Sequence, residues 1–217
     1  MSATFEHELA ALRAEFTAYA VRCLDALDRA REMLHSRDPE LAARVLEAEK
    51  EVDRTEVRIE EQCVRLLTLH HPVAHDMRVV ITILKLNDEL ERIADHAANV
   101  CRLTRRIVLR GGHIPPVLLQ LADRVVLAGR AAFASLIEED ATKARAVLRG
   151  DSAIDRLDRL VRDEVHDLLA QASEVESALD SYRMSRELER VGDHLANVGE
   201  DVIYLITGEI VRHHASA

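Results

Sequence analysis

The segment Leu90-Glu-Arg-Ile-Ala-Asp-His-Ala-Ala-Asn-Val100 recurs almost unchanged in the second half of the chain as Leu188-Glu-Arg-Val-Gly-Asp-His-Leu-Ala-Asn-Val198. We call these segments the first and second copies. Their apolar residues recur at helical spacing, which predicts two amphipathic helices. The copies also share carboxylates, a histidine and an asparagine, so the repeat preserves more than a core-packing pattern. We therefore interpret the chain as two copies of one functional unit.

The rest of the chain has the composition of an all-helical protein. Apolar residues make up 48% of the 217 residues, with only 7 glycines and 4 prolines among them. Three long amphipathic helices are predicted before the glycine- and proline-rich segment 111–116 and three after it, the last ending near Val211. The predicted fold is all-α, with two tandem, pseudo-symmetric three-helix bundles of six long antiparallel helices, the first spanning residues 1–110 and the second residues 111–217.

Charge and cysteine content exclude several classes of function. The chain carries 39 acidic and 29 basic residues and a formal charge of −10, which disfavours binding to nucleic acid or anionic lipid. Cys23, Cys63 and Cys101 are odd in number and widely spaced, as is typical of buried thiols in a reducing compartment. No segment approaches the roughly 18 apolar residues of a membrane span. We expect a cytoplasmic protein that does not insert into a membrane.

Acidic residues stand four positions apart at four places, two in each half of the chain. Such residues share one helix face, with Cβ atoms about 6 Å apart, so their charges repel. Because this unfavourable spacing recurs at matching places, it favours a bound cation. The predicted metal ligands are Glu49 and Asp53, Glu91 and Asp95, Asp151 and Asp155, and Glu189 and Asp193. Carboxylate oxygens suit magnesium, manganese, calcium or iron, and an adjacent imidazole would extend the choice to zinc or nickel.

The shared histidines and asparagines leave two interpretations open. His96 and His194 each follow the second acid of their copy, but a helix turns them away from that acid by about 100°. They are either further ligands or residues of a helix surface or interface. Asn99 and Asn197 lie one turn beyond the same acids, where they could orient a carboxylate or supply an oxygen.

Together with the two copies, two further segments resemble the PhoU family of phosphate-transport accessory and regulatory proteins. They are Pro72-x-Ala74-x-Asp76-x-Arg78 and Glu200-Asp-Val-Ile-Tyr-Leu-Ile-Thr-Gly-Glu209, and the resemblance covers essentially the whole chain. It implies two three-helix bundles with Glu/Asp-x-x-x-Asp motifs that bind multinuclear metal clusters at the surface. One departure is Ala94, because the family usually has glycine there and the second copy keeps Gly192. The added methyl group could crowd a close approach.

The resemblance also implies a role for the protein. It implies a non-enzymatic, cytoplasmic negative regulator that forms a homodimer. When phosphate is plentiful, this regulator would link the ATPase subunit of a phosphate ABC transporter to a sensor histidine kinase. The metal would be iron, zinc, manganese or magnesium.

Other functions remain compatible with the residues themselves. A carboxylate-bridged dimetal redox enzyme would need two inward Glu-x-x-His motifs, whereas the chain has one, Glu32/His35. A purely structural helical scaffold would use its acids only as a solvated surface. An acidic face could also meet an arginine-rich partner without any metal. No motif of hydrolysis or nucleotide binding is present in the sequence.

Overall fold

The spacing of apolar residues produces six helices in a computed structural model that describes residues 3–171 and 173–211. Those residues contain no β-strand, so the all-α prediction is confirmed. The helices are α1 (Ala3–Ser36), α2 (Glu40–His70), α3 (Ala74–Leu109), α4 (Pro116–Ile137), α5 (Ala141–Leu169) and α6 (Val175–Thr207).

Local signals in the sequence end and begin these helices. Asp140 caps α5, because its Oδ1 accepts hydrogen bonds from the backbone N–H groups of residues 142 and 143 at 2.8 and 3.1 Å. The last helix ends at Thr207, four residues before the predicted end at Val211. Gly208 explains this difference, since it adopts a left-handed φ of 76° and its N–H donates to the carbonyl of Tyr204 at 2.8 Å.

The buried apolar side chains of all six helices form one continuous core. Within it α1, α2 and α3 pack together, as do α4, α5 and α6, and the two sets meet where α3 packs on α6 and α1 on α4. The division of the chain at residues 110 and 111 stays a prediction. Cys23, Cys63 and Cys101 are buried free thiols, and burial raises the pKa of each to about 12. None of the described helices combines the length and the apolar character needed to cross a membrane.

Helices α3 and α6 run antiparallel, and ion pairs join them at both ends. At one end, Lys85 Nζ lies 2.8 Å from Asp201 Oδ1. At the other, the Asp180 side chain is only 1% exposed and accepts contacts from Arg106 at 3.3 Å and Arg110 at 3.1 Å. A buried carboxylate is tolerated only when cations and hydrogen bonds replace its water. Asp180 therefore ties the end of α3 to the start of α6.

Replacing Asp180 by asparagine should lower the free energy of unfolding by about 1–3 kcal/mol, because the arginines lose their buried counter-charge. Urea denaturation of the two proteins measures the difference. Glu176 also contacts Arg110, at 3.5 Å, but its side chain is 68% exposed, so Glu176→Gln is a matched control. That control should change stability by less than about 0.5 kcal/mol. Equal effects of the two substitutions would contradict the anchoring role of Asp180.

Candidate metal centre

The first acidic face consists of Glu49 and Asp53 on α2 and Glu91 and Asp95 on α3. Its last three members each bring a carboxylate oxygen within 4.8 Å of the other two. Asp53 is exposed, while Glu91 and Asp95 are half-buried. None of these three forms an ion pair with a lysine or arginine of the described residues. Clustered carboxylate oxygens without a basic partner fit the ligand set of a hard metal cation.

Glu49, the fourth acid of this face, has a different neighbour. Arg102 on α3 donates from Nη2 to both of its carboxylate oxygens, at 2.7 and 2.6 Å. The Nη1 of the same guanidinium donates to Asn99 Oδ1 at 2.7 Å. The Arg102 guanidinium therefore pairs with the acid that was predicted to be the fourth metal ligand of this face.

The charges of the first face are mutually unfavourable. Burial, followed by the neighbouring Asp95, raises the pKa of Glu91 to about 7. Burial also raises the pKa of Asp53, and the charges of Asp95 and Glu49 raise it further. Folding thus brings the negative charges of Asp53, Glu91 and Asp95 close together and partly out of water, which is unfavourable. A bound cation would offset their repulsion.

The second acidic face lies on α5 and α6 and consists of Asp151, Asp155, Glu189 and Asp193. Burial, followed by Asp155 and Glu189, raises the pKa of Asp151. Burial, followed by Asp151 and Asp155, raises the pKa of Asp193, so the four acids share one region of negative potential. Within residues 3–171 and 173–211, only the first face brings three ligand oxygens within 4.8 Å of one another.

One acid of the second face also meets an arginine, but it is held less completely. Arg186 Nη1 lies 3.1 Å from Glu189 Oε1 and 3.6 Å from the buried Asp158. The other oxygen, Glu189 Oε2, is buried and has no hydrogen-bond partner among the described residues. Because an unpaired buried carboxylate oxygen is costly, this atom fits the role of a metal ligand.

The histidines and asparagines of the copies lie at the interface between α3 and α6. His96 Nδ1 lies 2.7 Å from Glu187 Oε2, and His194 Nδ1 lies 2.7 Å from Glu89 Oε2. The two imidazoles stack with centroids 5.4 Å apart. The amide of each copy's asparagine donates to the same glutamate as its histidine, at 3.1 to 3.2 Å. These contacts agree with the interpretation of His96 and His194 as interface residues and not with their interpretation as metal ligands.

Sequence reasoning missed the partners of these side chains. Glu89 and Glu187 immediately precede Leu90 and Leu188, so extending each copy by one residue would have included them. Arg102 and Arg186, which contact acids of the two faces, carried no such signal, since neither arginine recurs at the equivalent position of the other half. Contacts between helices far apart in sequence are needed to find them.

Comparison with known proteins agrees with this arrangement of two halves. The family model described as "PhoU domain" matches residues 17–104 and again residues 118–202. The chain belongs to the PhoU family. A relative from Serratia marcescens, the phosphate-specific transport system accessory protein PhoU, is 31% identical over 98% of this chain and 88% of its own length.

Solved PhoU structures share the fold. The crystal structure of PhoU from Pseudomonas aeruginosa superimposes with a TM-score of 0.90 at 29% identity, over 94% of this chain and 100% of that chain. The phosphate transport system regulatory protein PhoU from Streptococcus pneumoniae gives a TM-score of 0.85 at 27% identity, over 95% and 99% of the two chains. The pseudo-symmetric helical fold is therefore that of PhoU proteins.

The difference between the two copies at Ala94 and Gly192 has a packing explanation. A Cβ atom at Gly192 would lie 3.1 Å from two side-chain carbons of Ile154, which is tighter than ordinary packing. Ile154 directly precedes Asp155, and the residue that precedes Asp53 is the smaller Val52. In the first half, the Ala94 methyl group is accommodated in the buried core. The methyl group therefore need not crowd this PhoU chain.

Replacing Glu91 by glutamine should stabilise the metal-free protein at high pH. The pKa of Glu91 is about 7 in the folded protein and has an ordinary value of 4.5, so the folded state loses stability as the pH rises between these values. Allowing for solvent screening of a half-buried group, Glu91→Gln should raise the free energy of unfolding by about 1 kcal/mol at pH 8. Near pH 4.5 the gain should vanish.

Urea denaturation in the presence of a chelator, at both pH values, measures this difference. Glu47→Gln, which removes an exposed acid of α2, is the control and should have no effect at either pH. A gain for Glu91→Gln that is independent of pH would contradict the electrostatic account of this face.

Proposed function

We propose that this PhoU-family chain is a non-enzymatic regulator of phosphate uptake and of phosphate-responsive signalling. The relative from Serratia marcescens is named an accessory protein of phosphate-specific transport, and the one from Streptococcus pneumoniae is described as regulatory. The chain would act in the cytoplasm as a homodimer. Each of its two subunits would consist of the units 1–110 and 111–217. It would repress uptake and signalling when phosphate is plentiful.

Metal binding is the second part of the proposal, and the first acidic face carries it. Its three carboxylates lie within 4.8 Å of one another without a basic partner, and oxygen-only ligands favour manganese, magnesium or iron over softer metals. Asp53, Glu91 and Asp95 would hold an ion on one side of the molecule. Asp151, Asp155, Glu189 and Asp193 would hold one on the other. A bound ion would neutralise each face and fix α2 to α3 or α5 to α6.

The proposed partners are the ATPase subunit of a phosphate ABC transporter and a sensor histidine kinase. None of the described helices can cross a membrane, so the chain would reach a membrane transporter through a protein subunit at the membrane surface. A formal charge of −10 also favours protein or metal partners over nucleic acid. An adaptor of this kind needs two usable surfaces, and a pseudo-symmetric molecule has two.

A dimetal redox enzyme has weaker support. Such enzymes place their carboxylates and histidines in the interior of a four-helix bundle. The single Glu-x-x-His motif here lies at the surface, where His35 contacts Asp123 at 2.9 Å. None of the eight acids of the two faces is a fully buried residue. This distribution favours a surface platform over an enclosed catalytic centre.

Affinity purification tests the proposal. Tagged protein from phosphate-rich cells should recover the transporter ATPase and the kinase in greater amounts than protein from phosphate-starved cells. An Asp95→Asn/Asp193→Asn variant should recover less of both, because it removes one acid from each face. Quantitative mass spectrometry of the eluates provides the measurement.

The matched control is Glu60→Gln/Glu61→Gln, which removes two exposed acids of α2 outside the first face and should recover partners like the unmodified chain. Recovery of neither partner in either medium would contradict the adaptor role. Equal recovery with both double variants would instead contradict the dependence on metal.

A further inference from the structure

The two acidic faces differ in how completely an arginine occupies them. On the first face, Arg102 donates to both oxygens of Glu49, so this carboxylate is already paired with a positive charge through each oxygen. On the second face, Arg186 contacts one oxygen of Glu189, while the other oxygen has no partner among the described residues. One acid of the first face thus has both oxygens in contact with an arginine, whereas every acid of the second face keeps at least one oxygen without such a contact.

This difference follows from the residues at equivalent positions of the two halves. When the copies are aligned on Leu90 and Leu188, Glu200 occupies the position of Arg102. In the same alignment, the position of Arg186 is occupied in the first half by Asp88. Each half thus has an acid where the other has its arginine. The pseudo-symmetry of the fold does not extend to the charges beside the two faces.

Arg102 also connects the first face to the interface between α3 and α6. Its Nη1 donates to Asn99 Oδ1 at 2.7 Å, and Asn99 Nδ2 donates to Glu187 of α6 at 3.2 Å. These contacts satisfy the guanidinium on two sides and fix its orientation toward Glu49. A guanidinium with fixed partners is a preorganised cation, because it loses little further freedom on binding the carboxylate.

We propose that Arg102 is a built-in cation that competes with metal for Glu49 and thereby lowers the metal affinity of the first face. This inference rests on the proposed metal role of the faces. Asp53, Glu91 and Asp95 hold the ion, while Glu49 remains paired with Arg102. Arg102 thus lowers the affinity of the first face for a cation, since its fixed charge pairs with one acid and repels an incoming positive ion.

Manganese binding to variants of the full chain tests the inference. An Asp151→Asn/Asp193→Asn background removes two acids of the second face, so that titration calorimetry with Mn²⁺ reports on the first face. In this background, Arg102→Gln should tighten Mn²⁺ binding about tenfold, because it removes a nearby positive charge and frees Glu49. Adding Glu49→Gln to Arg102→Gln should reverse part of that gain.

Arg105→Gln is the matched control, since it removes the same charge from the same helix at an exposed residue with no ion pair among the described residues. It should leave Mn²⁺ affinity unchanged within about twofold, because Arg105 contacts none of the acids of the first face and its charge is screened by salt. Equal effects of Arg102→Gln and Arg105→Gln would overturn the inference.

Glu49→Gln alone provides a test that does not depend on the folding of the Arg102 variant. In the same background and with Arg102 in place, it should weaken Mn²⁺ binding by no more than about tenfold, because it leaves the Arg102 charge unpaired but removes no ligand, whereas Asp95→Asn should abolish binding. A loss with Glu49→Gln as large as that with Asp95→Asn would overturn the inference and leave the metal role intact.

The background protein separates this inference from the proposed function. Mn²⁺ binding by Arg102→Gln but not by the background protein would support the blocking role of Arg102 and contradict metal binding by the natural first face. Absence of Mn²⁺ binding in both proteins would overturn both claims.

Discussion

The packing of α3 against α6 is the constraint on which the rest of the structure depends. Two segments of nearly the same sequence meet antiparallel, so each must supply both members of every contact that the pseudo-twofold axis repeats. Glu187 accepts from His96, and this hydrogen bond holds the pKa of Glu187 below its usual range. Because successive residues point about 100° apart around a helix, His96 faces α6 while the adjacent Asp95 faces α2. One short segment thereby forms both the interface and half of an acidic face.

Because different residues of one segment form the interface and the acidic face, like charges can accumulate on each face. The apolar side chains that hold α2 on α3 and α5 on α6 lie in the core, so the acids contribute little to holding the helices together. Repulsion between the acids is a cost that the core offsets, and it leaves each face poised for a cation. The two faces are not identical, however. Arg102 contacts Glu49 whereas Arg186 contacts Glu189, and these two acids do not occupy equivalent positions in the two halves. The two halves share a fold and an interface but differ in charge.

Helix number, the chain segments that separate the helices and the pairing of acids along each helix were all predictable from the sequence. These features depend on local periodicity and on residues such as Pro72 and Pro116, whose backbone preferences act locally. The contacts of Arg102 and the interface role of His96 were not predictable, because they depend on which helices pack together and on side-chain orientation. Glu89 lies between these cases. It recurs as Glu187, one residue before the second copy, but only the antiparallel packing of α3 and α6 explains why the two halves share it.

Anomalous diffraction from crystals grown with Mn²⁺ tests most directly whether the acidic faces bind metal. The account predicts an anomalous peak from a Mn²⁺ ion that is bound by Asp53, Glu91 and Asp95, with Glu49 still in contact with Arg102. It predicts a second site among the acids of α5 and α6, where Glu189 takes part through its free oxygen. Absence of any peak beside these carboxylates, at Mn²⁺ concentrations that saturate ordinary carboxylate sites, would contradict the account.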